Sequence, residues 1–171
     1  MTHTNSTEVT LSTDRSSLRE EIGLSKPFRT PHQDAALSVL RTADVLRRFF
    51  GQVLAPHGLT LQQYNVLLIL RGARPEALPT MEIAARMIEK TPGITRFVDH
   101  LEGMGLVERA RRADDRRCVL CSITPAGLDL LARLDEPIAA ADVAALSTLT
   151  SEQAEQLAGL LERVRAGHPG V

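Results

Sequence analysis

Tryptophan is absent from this chain of 171 residues, and the aromatics amount to four phenylalanines and one tyrosine. A core without large rings must be built from Leu, Ile, Val and Ala, a mixture that favours helices. Cysteine is scarce too. Cys118 and Cys121 alone cannot frame a disulfide-stapled secreted scaffold. Lysine is nearly missing, since only Lys26 and Lys90 stand among 20 basic residues. There is no long apolar run. The longest stretch without Asp, Glu, Lys or Arg, Phe49 to Leu70, is broken by Pro56, Gly58, Asn65 and three glutamines, which excludes a membrane span. The Ser/Thr-rich N-terminus lacks an apolar h-region, so no signal peptide is expected and the chain reads as cytoplasmic.

Enzyme signatures are missing as well. There is no Gly-x-Ser-x-Gly, no Walker loop and no dinucleotide fingerprint. His3, His32, His57, His100 and His168 lack metal-ligand spacing, so neither metal nor cofactor is expected. Asp114 and Asp115 are adjacent on a turn and do not face each other as an acid/base pair would. The chain therefore does not read as an enzyme.

What is present is an uneven charge. The net charge is −1, yet Arg86 to Arg117 holds eight basic against six acidic residues, while Leu134 to Val171 holds two against six. Distribution matters more than the total for a polyanionic partner.

Along the chain, residues 1–30 read as a flexible arm with a helical trace near Leu18–Ile22. Leu37, Leu40, Ala43, Leu46, Phe50 and Val53 recur at helical spacing, so a long amphipathic helix is predicted from Gln33 to Ala55, ended by Pro56-His57-Gly58. Thr60 and Gln63 form a capping box for a central helix through Tyr64–Leu70. Thr80 is predicted to cap a short helix, Met81 to Met87. About three residues later Thr91 and Pro92 open another, with Thr as N-cap and Pro at the first helical position. Leu106–Ala110 and Arg117–Ile123 read as a hairpin, with Val119, Cys121 and Ile123 on one face. Thr124-Pro125 starts a helix that Pro137 is expected to bend or interrupt. Thr150 and Gln153 box the last helix, which carries Leu157, Leu160, Leu161 and Val164. The order is that of a mainly α (α+β) winged helix-turn-helix, with N- and C-terminal helices forming a dimerisation region. Their apolar faces are wider than one winged helix can cover.

The helix from Pro92 buries Ile94, Val98 and Leu101 and turns Gly93, Thr95, Arg96, Asp99 and His100 outward. Small residues at its start would let the backbone approach a duplex, and Arg96 can donate twice to guanine O6 and N7. Arg109-Ala-Arg-Arg-Ala-Asp-Asp-Arg-Arg (109–117) then places five arginines on or beside a turn. A projecting arginine there suits a narrow minor groove, its neighbours suit phosphates, and Asp114 or Asp115 could position one of them.

Four segments resemble the MarR family of multiple-antibiotic-resistance regulators: Ile-Thr-Arg-Phe-Val-Asp-His-Leu-Glu (94–102), Gly-Leu-Val-Glu-Arg (105–109), Asp-Asp-Arg-Arg (114–117) and Ile-Thr-Pro-Ala-Gly (123–127). The resemblance spans Gln33 to Val164 and is sharpest from Leu59 to Gly127. It implies a homodimer on a pseudo-palindromic operator, with residues 31–58 and 124–167 pairing the subunits and residues 59–123 binding double-stranded DNA. It assigns Thr95 and Arg96 to the major groove and Arg116 or Arg117 to the wing tip. Thr91, Pro92, Gly93, His100, Arg111 and Arg112 complete the expected interface. His100 departs from the arginine frequent in the family, and a neutral polar contact is expected of it. The family also implies a small aromatic effector, for which Phe49, Phe50, His57 and Tyr64 are candidates. Two rivals remain: a winged helix used for protein–protein contact, and a thiol-based redox sensor acting through Cys118, with Cys121 expected to be buried.

Overall fold

The computed structural model describes residues 18–90, 92–111 and 118–168. They fall into two compact units, divided between Val45 and Leu46.

The first unit holds α1 (Leu18–Glu21) and most of α2 (Pro31–Leu54), a helix that continues through the division. Arg41 pairs with Glu21 and with Asp44. The start of α2 is capped by Thr30, whose Oγ1 accepts from the Gln33 N–H at 3.1 Å. Within the expected arm, Leu18–Glu21 form the helical trace that the sequence suggests, and residues before Leu18 lie outside the described residues.

The second unit contains the core. A 3₁₀ turn at Ala55–His57 ends α2, and Gly58 takes φ 69°, a left-handed conformation open to glycine. α3 (Leu61–Ala73) begins with the expected capping box: Thr60 accepts from the Gln63 N–H, and the Gln63 side chain accepts from the Thr60 N–H. Val66, Leu67 and Leu70 of this helix are at most 1% exposed, and they pack with Leu54, Ile83, Leu101, Leu131 and Leu134. Fully burying one such side chain contributes about 1.5–3 kcal/mol.

The sheet has one strand more than the sequence suggests. β1 (Leu78–Pro79) pairs antiparallel with β3 (Val119–Ile123), which also pairs with β2 (Val107–Arg111), giving the order β1-β3-β2. Two residues, one of them proline, carry no strand periodicity, and Pro79 is tolerated because β1 is an edge.

Two helices follow. α4 (Thr80–Arg86) starts at Thr80 rather than being capped by it. The Thr80 hydroxyl turns to the sheet, 3.5 Å from the Val119 carbonyl and 3.7 Å from the Cys121 sulfur. α6 (Pro125–Ala145) is capped by Thr124 as expected, but it runs through Pro137 without interruption. Proline removes the bond to the Arg133 carbonyl, and both residues lie on the exposed face, where water can serve that carbonyl. α7 (Ser151–Ala166) has its boxed start and buries no residue; Leu160 and Val164 are 57% and 58% exposed. Among the described residues no helix is long and apolar enough to cross a membrane.

The first turn of α6 docks on the corner before β2. The Thr124 N–H donates to the Leu106 carbonyl at 3.0 Å, and its hydroxyl donates to the Gly105 carbonyl at 2.7 Å. A Cβ at Gly127 would sit 2.4 Å from the Leu106 oxygen and 2.7 Å from Ile123 Cγ1. Backbone cannot yield to that contact, so Gly127→Ala is expected to destabilise the fold by about 1–3 kcal/mol, the range for overpacking, read as a lowered urea midpoint.

Candidate nucleic-acid interface

The central element is α5 (Ile94–Gly103). Val98 and Leu101 are 1% and 0% exposed, and Ile94 and Phe97 pack at the edge of the same core. This stripe fixes the rotation of the helix, so Thr95, Arg96, Asp99 and His100 face outward, as the spacing predicts.

The start of the helix differs from expectation. Pro92 is not its first residue. Gly93 is the N-cap with φ 109°, and α5 begins at Ile94. A left-handed backbone at Gly93 breaks the helical path, so α4 ends at Arg86 and α5 begins only at Ile94, further apart than the expected three residues or so. Gly93 supplies no side-chain cap; its carbonyl accepts from the Arg96 N–H at 2.9 Å and the Phe97 N–H at 3.3 Å. Thr91 lies outside the described residues.

The link from α4 to α5 is held from below by three groups which sequence reasoning missed. Asn65, buried on α3, accepts from the Ile88 N–H at 2.9 Å. Glu89 accepts from Arg47 Nε at 2.5 Å and from Gln62 Nε2 at 2.9 Å. A buried asparagine inside an apolar helical run was the available signal, because such an amide needs a partner.

The outward residues divide between two clefts. Pro92, Gly93, Arg96 and His100 share one of about 760 Å³ with Thr60 and Gln63 at the start of α3. Thr95 lies on the other side, in a cleft of about 260 Å³ between α4, α5 and the sheet, with Thr80, Met81, Arg109 and Cys118. Thr95 and Arg96 are therefore neighbours in sequence that border different clefts. Arg111 is exposed at the end of β2. Arg112, Asp114, Asp115, Arg116 and Arg117 lie outside the described residues.

Arg109 opens the arginine run, and the run alone gives it no separate role. The register places it opposite Cys121, which is fully buried, so its stem lies on the sheet face that meets α5. Its Nε donates to Glu102 at 2.8 Å, Nη2 donates to the same carboxylate, and Nη1 donates to Asp99 Oδ1 at 2.5 Å. Bonding to Glu102 raises the guanidinium pKa further. An arginine positioned by acidic partners, the part expected of Asp114 or Asp115, is thus found among the described residues between β2 and α5. The alternation of Val107 and Arg109 on a strand, beside Asp99 and Glu102 at i,i+3, was the legible clue.

Of the candidate effector residues, only the sequence neighbours Phe49 and Phe50 are seen in contact with each other among the described residues. Phe49 and Phe50 meet edge-to-face, with ring centroids 5.5 Å apart and planes at 78°. His57 is half-buried in the 3₁₀ turn. Tyr64 is buried on α3, and burial raises its phenol pKa.

The comparisons agree with this geometry. The model of the MarR family matches residues 59–119. A MarR transcription factor from Planctomyces limnophilus, known by crystal structure, is 36% identical; the match covers 80% of this chain and 98% of that one, with a TM-score of 0.64. The chain belongs to the MarR family. It is a winged-helix DNA-binding transcription regulator. Another MarR-family relative is the homoprotocatechuate degradative operon repressor of Escherichia coli, 28% identical over 131 residues, with 77% of this chain and 87% of that protein covered. The MarR-family regulator Sco3205 of Streptomyces coelicolor, crystallised with DNA, shares the fold at 23% identity, a TM-score of 0.72, and coverage of 85% and 94%.

Two measurements check the local account. Asn65→Leu strands the Ile88 N–H and is expected to cost about 1–3 kcal/mol of stability, the penalty for an unpaired buried donor. With a thiol reagent at neutral pH, Cys121, buried and with its pKa raised by that burial, is expected to react only on unfolding, whereas half-buried Cys118 reacts in the native protein.

Proposed function

We propose that the chain acts as a homodimeric repressor, with α5 in the major groove and the β2–β3 wing at the adjacent minor groove of a pseudo-palindromic operator. The observation that carries this reading is the rotation of α5: one face is locked into the core, and the other offers Arg96 and His100 beside the start of α3. Arg96 reads a guanine edge, Thr95 borders the groove on the opposite side, and Pro92 and Gly93 let the backbone approach. Arg111 and Arg112 contact phosphate, and Thr91 belongs to the same interface. Arg116 or Arg117 enters the minor groove, and Asp114 or Asp115 orients the wing. His100 contributes a neutral polar contact.

Residues 59–123 form the DNA-binding lobe in this reading. Residues 31–58 and 124–167 pair with a second copy, which accounts for the exposure of Leu160 and Val164 on α7 and of Leu40, 65% exposed, on α2. A twofold axis then sets half-sites roughly one DNA turn apart. The work is regulatory rather than catalytic and belongs in the cytoplasm, beside the DNA. The name of the E. coli relative ties it to an operon that degrades an aromatic compound, which supports a small aromatic effector here, with Phe49, Phe50, His57 and Tyr64 as its neighbours. Such an effector must bind better to the form that fits DNA worse.

A gel shift on DNA upstream of the protein's own reading frame, repeated across salt concentrations, tests the reading. Arg96→Ala is expected to cost about 1–3 kcal/mol of affinity and to relax sequence preference. Arg111→Ala should weaken all sequences alike and reduce the salt slope by about 1. A monomeric protein with no affinity for any duplex at low ionic strength would instead favour a winged helix built for protein contacts.

A further inference from the structure

The outward face of α5 carries a contradiction. Arg96 is its one fixed positive charge, while Asp99 and Glu102 are two negative ones, their side chains 51% and 38% exposed. A helix with one fixed positive charge and two negative ones is poorly suited to a groove walled by phosphates. Within the Debye length of about 8 Å at physiological salt, that repulsion is not screened away. The charge that resolves the conflict comes from outside the helix. Arg109 on β2 has its Nε, Nη1 and Nη2 all engaged with Asp99 and Glu102.

We infer that Arg109 is a charge-masking positioning residue for DNA binding, acting through Asp99 and Glu102 and not by touching the duplex. The inference rests on the reading that α5 enters the major groove. Three features support it. The guanidinium donates to carboxylates through all three nitrogens, which engages three of its five N–H donors and pairs its charge. The register with Cys121 puts its stem on the sheet face that meets α5, and its side chain is 29% exposed. The same bonds tie β2 to α5, so the strand that leads to the wing and the recognition helix share one electrostatic joint. Masking also occupies the Asp99 carboxylate, which as an unpaired acceptor in the groove would favour the N4 amino group of cytosine.

The test is a cycle of four proteins: the unmodified chain, Arg109→Gln, the pair Asp99→Asn with Glu102→Gln, and all three changes together. Each is titrated by fluorescence anisotropy against a duplex that the unmodified protein selects from a random-sequence pool, with circular dichroism to report folding. Arg96→Ala serves as the reference. Masking predicts that Arg109→Gln weakens binding about tenfold in the unmodified background, from the loss of charge compensation at close range, and less than about twofold once both carboxylates are amides. It also predicts that the double amide binds at least as tightly as the unmodified chain. A full loss on Arg109→Gln in the amide background would overturn the inference in favour of a direct phosphate contact. Weaker binding by the double amide would overturn it in favour of a purely mechanical clamp. Loss on Arg96→Ala with none on Arg109→Gln would remove the masking and leave the interface standing. No loss on either would remove both.

Discussion

Val98 and Leu101 decide which way α5 faces, and most of the functional geometry depends on that constraint. Both are buried completely or nearly so in a cluster that also holds Leu67, Ile83 and Leu131. A rotation of the helix by one residue would pull them into water at about 1.5–3 kcal/mol each and push Arg96 or His100 against Leu residues. The polar side of α5 is thus aimed by its apolar side. The outward residues need no structural bond of their own to be presented.

Rotation alone does not set where the helix begins or how it sits against the wing. Those are settled by polar contacts at its two ends. At the start, Asn65, Gln62 and Arg47 hold the turn that precedes Gly93. Toward the end, Asp99 and Glu102 meet Arg109. The core thus gives α5 its orientation, and a small number of charged or amide groups give it its register. Such groups are costly to leave unpaired and therefore tend to occupy one arrangement.

The elements that could be read from the sequence are those written in local chemistry. The Thr60–Gln63 and Thr150–Gln153 boxes, the Thr124-Pro125 start and the alternation of Cys121 and Ile123 each depend on residues a few positions apart, and each is found in place. What could not be read depends on distant partners. β1 exists because β3 offers it an edge, and Leu78–Pro79 alone has no period to detect. Thr80 looked like a cap because nothing nearby in sequence reveals that its hydroxyl faces Val119 and Cys121. Thr91-Pro92 looked like a helix start because the positive φ of Gly93 is invisible to a propensity argument. Pro137 looked like a break, yet its lost bond falls on the exposed side of α6. Within the candidate interface, the outward set on α5 was legible from spacing, whereas the joint made by Arg109 required knowing the strand register.

The bare contact at Gly127 has a mechanical consequence. With no side chain between them, the first turn of α6 rests on the backbone of Leu106, and two hydrogen bonds from Thr124 hold the same corner. A soft side chain at such a junction would absorb displacement by changing rotamer. Backbone against backbone has no such slack, so a tilt of α6 is delivered undamped to the corner where α5 ends and β2 begins. The glycine makes that corner a stiff fulcrum between α6 and the junction of α5 with β2.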